Sequence, residues 1–256
     1  MQYTYETTEK GVTERGFELT VDGERVPGII WSPEGAQGAR PLLLIGHGGT
    51  QHKRIDTILS RARTFVRHHA YAVVAIDAPG HGDRISPEEA ERMRAARREG
   101  RLQMTPERLR EMAARNAQAV REWKATLDAV QALDYVGTGP VGYWGVSMGT
   151  AIGVPFIAAE PRVRAAVLGL AGSRSEEFRE TARRITIPIL FMCQWDDEVA
   201  PRDSCLALFE AFGSQEKSMH VNPGGHLGIP PFEREYWELF FVRHLGSAKE
   251  PIREGR

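Results

Sequence analysis

Cysteine is almost missing from this chain: Cys193 and Cys205 are the only two among 256 residues. Two are too few for a disulfide framework, and they lack metal-ligand spacing. No charge of one sign is in surplus, since 33 Lys and Arg face 34 Asp and Glu for a formal net charge of -1. That balance gives no electrostatic reason to expect nucleic acid or an anionic membrane as partner. No uninterrupted apolar run approaches the roughly 20 residues that span a bilayer. The opening Met1-Gln2-Tyr3-Thr4-Tyr5-Glu6 has no basic region followed by an apolar stretch, so no secretory signal is visible and a soluble cytoplasmic protein is expected. His-x-His-x-Asp-His and His-Glu-x-x-His are both missing, which argues against a metallohydrolase. We expect neither a metal nor a cofactor.

What is present is apolar content in short runs. With 41% hydrophobic residues, the chain can bury a sizeable core, and a single α/β domain over residues 1–256 is expected. Phe17 to Val21 alternates, Asp22-Gly23 follows, and Val26 to Trp31 resumes, the signature of an antiparallel hairpin, placed at a sheet edge. That edge is one surface where pairing between copies could occur; the oligomeric state is otherwise open. Leu42 to Ile45 and Ala72 to Ile76 are continuous apolar runs flanking a helical stretch from Asp56 to His69, which predicts a βαβ unit whose strands are covered on both faces. Val141 to Val146, Ala165 to Leu170, Ile187 to Met192 and Lys217 to Val221 continue the alternation. Phe232 to Leu245 closes it as a helix with Phe232, Tyr236 and Phe240 on one face. The expected architecture is a mostly parallel twisted sheet of about eight strands with helices on both faces.

One segment interrupts the pattern. Residues 84–115 hold nine Arg and six Glu, with Met93, Leu102, Met104, Leu109 and Met112 as the main large apolar residues. Ser86-Pro87-Glu88-Glu89 and Thr105-Pro106-Glu107 are helix starts. A pair of inserted helices follows, the second running on through Trp123, Leu127 and Val130. The segment reads either as a solvated helical face or as a small lid whose Met side chains line an adaptable pocket.

The chemistry-bearing residues lie at the strand ends. Ligands bind beyond the carboxyl ends of parallel strands, and there the chain carries Gly46-His47-Gly48-Gly49-Thr50, Asp77-Ala78-Pro79-Gly80-His81-Gly82, Gly145-Val146-Ser147-Met148-Gly149, Asp196-Asp197-Glu198-Val199-Ala200-Pro201 and Gly224-Gly225-His226. The Gly-x-Ser-x-Gly at 145–149 reads as strand, sharp turn and helix, a turn that strains its central residue and presents Ser147 at a helix start. Ser, Asp and His thus occur in that order at one sheet edge, with Asp196 and Asp197 both open as the acid. The Gly46 to Gly49 turn could cradle phosphate, but no Gly-x-x-x-x-Gly-Lys-Ser/Thr follows.

Taken together, these motifs resemble the α/β-hydrolase superfamily from about Phe17 to Leu245, and within it the serine esterases near the dienelactone hydrolases and bacterial carboxylesterases. Dienelactone hydrolases proper use a cysteine where this chain has Ser147. Pro155, inside the helix after the nucleophile, is a second departure, with a kink expected there. The resemblance implies the α/β-hydrolase fold and a serine hydrolase acting on a small-molecule ester, with no cofactor. It implies Ser147 as nucleophile, His226 as base and Asp197 as the acid, four residues before Pro201. It also implies backbone N–H groups of Gly49 and Met148 as the oxyanion hole. Thioester or amide cleavage by the same residues, and a non-catalytic ligand-binding member of the fold, are the alternatives. His47 is expected to orient the oxyanion loop, Asp77, His81 and Arg84 to brace the neighbouring loop, and His68-His69 to sit at a helix C-terminus where positive charge is favoured.

Overall fold

The structure is a computed structural model, which describes residues 1–99, 105–173 and 175–248. Among them the chain forms nine strands: β1 Gln2–Glu9, β2 Val12–Val21, β3 Glu24–Pro33, β4 Leu42–Gly46, β5 Ala72–Ile76, β6 Val141–Gly145, β7 Val163–Gly169, β8 Ile189–Gln194 and β9 Lys217–Asn222. The helices are α1 Asp56–His69, α2 Pro87–Arg98, α3 Pro106–Gln131, α4 Met148–Ala158, α5 Glu176–Arg183, α6 Arg202–Ala211 and α7 Glu233–Leu245. All nine strands share one sheet in the order β1-β2-β3-β5-β4-β6-β7-β8-β9. Pairing is antiparallel from β1 to β5 and parallel from there onward.

The apolar runs explain the layers, because a strand sends successive side chains to opposite faces. Leu42 and Leu44 join Val74, Tyr143, Phe191, Trp123, Leu127 and Phe156 in one core. Leu43 and Ile45 join Val73, Trp144, Ile58, Phe65, Trp237 and Phe241 in the other. Helices α3 to α6 cover the first face; α1 and α7 cover the second. A continuous apolar run is thus what a strand needs when both faces are roofed.

This nine-stranded sheet, mostly parallel with helices on both faces, answers the expected sheet of about eight strands. Two expectations need correction. The Phe17–Trp31 hairpin is not at the edge, because β1 pairs along β2 from Gln2 to Glu9. All eight β1 residues are exposed, so no buried apolar face marks this strand; backbone pairing and polar side-chain contacts such as Tyr5 hydroxyl to Glu14 Oε1 at 2.8 Å hold it. In α7 the buried face is Glu233, Trp237, Phe241 and Leu245, while Phe232 and Tyr236 are half exposed. The face is rotated by one residue because Glu233, though charged, is buried between the Nδ1 of His220 at 2.8 Å and the amide of Asn222 at 2.9 Å.

The inserted segment forms α2 and the start of α3; Leu102 and Met104 lie outside the described residues. Both helix starts are capped as their sequences require: Ser86 and Glu89 bond reciprocally in a capping box, and Thr105 Oγ1 accepts from the Arg108 amide. The C-terminal half of α3 then buries Ala119, Trp123, Leu127 and Val130 in the first core. Pro155 lies inside α4 without ending it, for the helix runs on to Ala158.

Candidate active site

The turn from β6 into α4 sets the site. Ser147 has φ 58° and ψ -115°, a region that costs a non-glycine residue about 1–3 kcal/mol and persists only where its surroundings enforce it. Here the Ser147 amide donates to Gly169 O at 2.8 Å. The buried Thr150 hydroxyl ties the same place together, bonded to Gly145 O at 2.8 Å and to Gly169 O at 2.7 Å. The two motif glycines permit the turn's tightness. A Cβ on Gly145 would stand 2.9 Å from the Gly149 backbone, and one on Gly149 would stand 2.9 Å from Gly46 O. That second approach presses the start of α4 against the loop after β4.

Three loops converge on the serine. His226 Nε2 lies 2.9 Å from Ser147 Oγ, and His226 Nδ1 lies 2.8 and 2.9 Å from the two Asp197 oxygens. An ionised carboxylate only accepts, so Nδ1 carries the proton and donates, leaving Nε2 to accept from the serine hydroxyl. Both His226 and Asp197 are buried. Asp197 Oδ1 also accepts from the amides of Val199 at 2.8 Å and Ala200 at 2.7 Å, which fixes the carboxylate. Asp196, the open alternative, is exposed and accepts from the Gly224 amide at 3.3 Å. It braces the histidine's turn and does not touch the ring.

A model of the alpha/beta hydrolase family matches residues 42–249. The chain belongs to the α/β hydrolase family. Among solved structures, this hydrolase is similar to a PEG-bound cold-adapted esterase from an Arctic intertidal metagenomic library: 35% identity, TM-score 0.80, covering 96% of this chain and 100% of that one. A zinc-bound structure of a cold-adapted esterase from the same kind of library follows at 32% identity and TM-score 0.74, with the same coverage. Acetyl xylan esterase from Paenibacillus sp. R4, at 17% identity, TM-score 0.72 and coverage of 95% of this chain and 88% of that one, shares the fold. Comparison with the curated proteins finds no match.

In this hydrolase the two expected oxyanion donors belong to the two segments that meet where Gly149 approaches Gly46. Met148 is the first residue of α4, where a helix leaves amides without intrahelical acceptors. Gly49 follows in the loop after β4, whose shape is held by specific bonds. The Gly48 amide donates to Gln51 Oε1 at 2.9 Å, and His47 holds both ends of its ring. Its Nε2 accepts from the Ala78 amide at 3.0 Å, so its Nδ1 donates to Gly48 O at 2.8 Å. Burial pushes the His47 imidazole down to about 4, which keeps it neutral and able to play both roles.

Sequence reasoning named Asp77 and Arg84 as braces and missed their partners. Asp77, fully buried, accepts from the Lys53 amide at 2.8 Å, Lys53 Nζ at 2.7 Å and the Asp83 amide at 2.9 Å. Lys53 thereby pins the loop after β4 to the loop after β5. Arg84 makes a two-pronged pair with buried Glu122 of α3 at 2.7 and 2.9 Å. His81 Nδ1 lies 3.1 Å from Pro79 O, a loop contact. Glu198, also missed, accepts from the His226 amide at 2.9 Å. Its place directly after Asp197 was the one available signal. Beside the loop after β4 lies a cavity of about 160 Å³ whose lining includes Thr50, Gln51, His81, Ile85, Met93 and Arg94. Met93 of α2 also lines a neighbouring one of about 260 Å³.

Proposed function

We propose that this protein is a carboxylic-ester hydrolase working through an acyl-enzyme on Ser147. The observation that carries the reading is the unbroken path Ser147 Oγ, His226 Nε2, His226 Nδ1, Asp197, with every step at 2.8–2.9 Å. A serine hydroxyl is a poor nucleophile at neutral pH. His226 takes its proton as Oγ attacks the ester carbonyl and returns it to the departing alcohol, while Asp197 holds the tautomer and balances the imidazolium. A water then attacks the acyl-enzyme by the same proton route in reverse order.

The negative charge that grows on the carbonyl oxygen meets the amides of Met148 and Gly49, where one such donor is worth about 3 kcal/mol. An ester, in preference to a thioester or amide, is supported by the named activity of the relatives that share about a third of the residues over nearly the whole chain. A binding module has no need for a strained serine aligned on a buried imidazole and carboxylate. The neighbouring α2 is short and strongly charged and offers no broad apolar entry surface, which favours a small or medium soluble ester over a long-chain one.

The test is labelling by a fluorophosphonate probe alongside hydrolysis of p-nitrophenyl esters of increasing chain length. Wild type is labelled and hydrolyses short esters fastest; Ser147→Ala is unlabelled and slower by about 1,000-fold or more. Equal hydrolysis by the variant overturns the mechanism, and a clear maximum at long chains overturns the substrate class.

A further inference from the structure

Away from the proposed catalytic residues, two histidines and a glutamate converge with no part in hydrolysis. His68 and His69 end α1, and Glu238 lies midway along α7. His68 Nδ1 is 3.0 Å and His69 Nε2 is 2.7 Å from one oxygen, Glu238 Oε1. Consecutive helical side chains point about 100° apart. They meet here because one ring offers its near nitrogen and the other its far one. The three donor atoms lie within 4.8 Å of one another. His69 is immediately upstream of Ala70, Tyr71 and the first residue of β5, so the cluster lies at the amino ends of the parallel strands, opposite the edge that carries Ser147.

We propose that His68, His69 and Glu238 form a binding site for a zinc-like divalent cation that clips α1 to α7. Two imidazoles and one carboxylate are a ligand set zinc accepts, with water completing a tetrahedron. Bonds of about 2.1 Å place tetrahedral ligand atoms about 3.4 Å apart, so the site forms if the two contacts to Glu238, now 3.0 and 2.7 Å, open slightly and donor atoms spread over up to 4.8 Å draw in around the ion. Each imidazole then presents a lone pair where it now donates, its proton moving to the other ring nitrogen. The carboxylate supplies a compensating negative charge.

The frame around the cluster is fixed before any cation arrives. Tyr71 hydroxyl donates to Phe241 O at 3.1 Å and Gly246 O at 2.6 Å, joining the end of α1 to the end of α7. The His69 ring packs against Phe65 and Tyr71, with centroids 6.0 Å away in each case, and its carbonyl accepts from the Ala248 amide at 3.2 Å. The His68 side chain is 61% exposed and that of Glu238 22%, which leaves an open side for entry and for the fourth ligand. A site held by two rigid helices loses little freedom on binding, which favours affinity over a pair of surface histidines.

The test uses the full chain, freed of metal by chelation, titrated with zinc by calorimetry and with cobalt by visible absorption. One equivalent of zinc is expected to bind in the micromolar range, cobalt to show the intense bands of a tetrahedral site, and zinc but not magnesium to raise the Tm. Glu238→Gln and His68→Ala should each weaken zinc binding by about 100-fold while leaving ester hydrolysis by the metal-free protein unchanged. His68 is exposed, so its variant should fold as wild type does. No saturable binding overturns the proposal, as does zinc affinity indifferent to both variants. The proposal does not rest on the hydrolytic reading, because its readout is binding and stability.

Discussion

The turn at Ser147 and the segment built on α2 are opposite solutions to placing a side chain beside a cleft. At the turn, charge is scarce and fit is everything. Gly145, Gly149, Thr150 and Gly169 are packed backbone to backbone, and the serine is held in a costly conformation by bonds it cannot escape. On α2, fit is loose and charge is plentiful. Glu91 pairs with Arg94 and Arg98, and the helix touches the cavities mainly through Met93 and Arg94 or Arg92. The difference teaches where precision resides: the turn is held where no atom can be added, and α2 is held by contacts that can rearrange.

The strongest way to break that contrast is to add one methyl group at the turn. Gly149→Ala places a Cβ 2.9 Å from Gly46 O, a contact that backbone must relieve. Overpacking of this kind costs about 3 kcal/mol, and under the proposed mechanism a shift of the loop after β4 by about 1 Å costs roughly 100-fold in rate. Denaturant midpoints and kcat/KM measured together should both fall. A variant that keeps its kcat/KM would show that the loop after β4 is not held by this contact.

That turn was also the most legible part of the chain. Gly-x-Ser-x-Gly after an apolar run dictates a strand, a tight turn and a helix because few residue types tolerate such closeness. The runs Leu42–Ile45 and Ala72–Ile76 likewise had no reading but covered strands. The helix Asp56–His69 was read to its ends because acid opens it and Arg67, His68 and His69 close it. What the sequence hid are features made by partners distant along the chain. Lys53 looks like a surface lysine until Asp77 and Asp83 are brought to it at 2.7 and 2.5 Å. Glu233 disguises the buried face of α7 because the groups that hydrogen-bond its carboxylate, His220 and Asn222, lie on β9. Strand β1 has no apolar face to give it away. The convergence of His68, His69 and Glu238 spans nearly 170 residues and leaves no local mark beyond two adjacent histidines.

A smaller effect sharpens the comparison through pH. His47 holds the loop after β4 as a neutral ring; burial lowers it from 6.5 to about 4, with His81 and His52 adding to the depression and the bond to Gly48 O and Asp77 opposing it. His81 is lowered in the same direction by its own burial. At these two rings the unfolded chain therefore binds more protons than the folded one between these values, so their contribution to stability is fully present above pH 6.5. That contribution declines as pH falls from about 6.5 to about 4 and is lost below. For His47 the whole effect is at most about 3 kcal/mol. Chemical denaturation at stepped pH should show this slope, and the imidazole resonance of His47 should not titrate above about pH 5. Titration near 6.5 would mean that the ring does not bridge Ala78 and Gly48 in solution.

The smallest expected effect lies on α2. Glu91→Ala removes the shared partner of Arg94 and Arg98, yet all three side chains are largely solvated. Exposed pairs yield little because water already satisfies each charge and holding long side chains together costs entropy. The denaturant midpoint and the rate on short esters should both be indistinguishable from wild type. Contrast Arg84 and Glu122, whose pair is made by side chains only 7% and 1% exposed: there each charge depends on the other, because water cannot replace it. If Glu91→Ala lowers stability measurably, α2 is a packed part of the fold, and its role as an adaptable cover over the cavity beside Met93 fails. If it changes the ester-length preference while stability holds, the charges themselves shape the substrate space, and the division between a precise turn and a permissive cover must be redrawn.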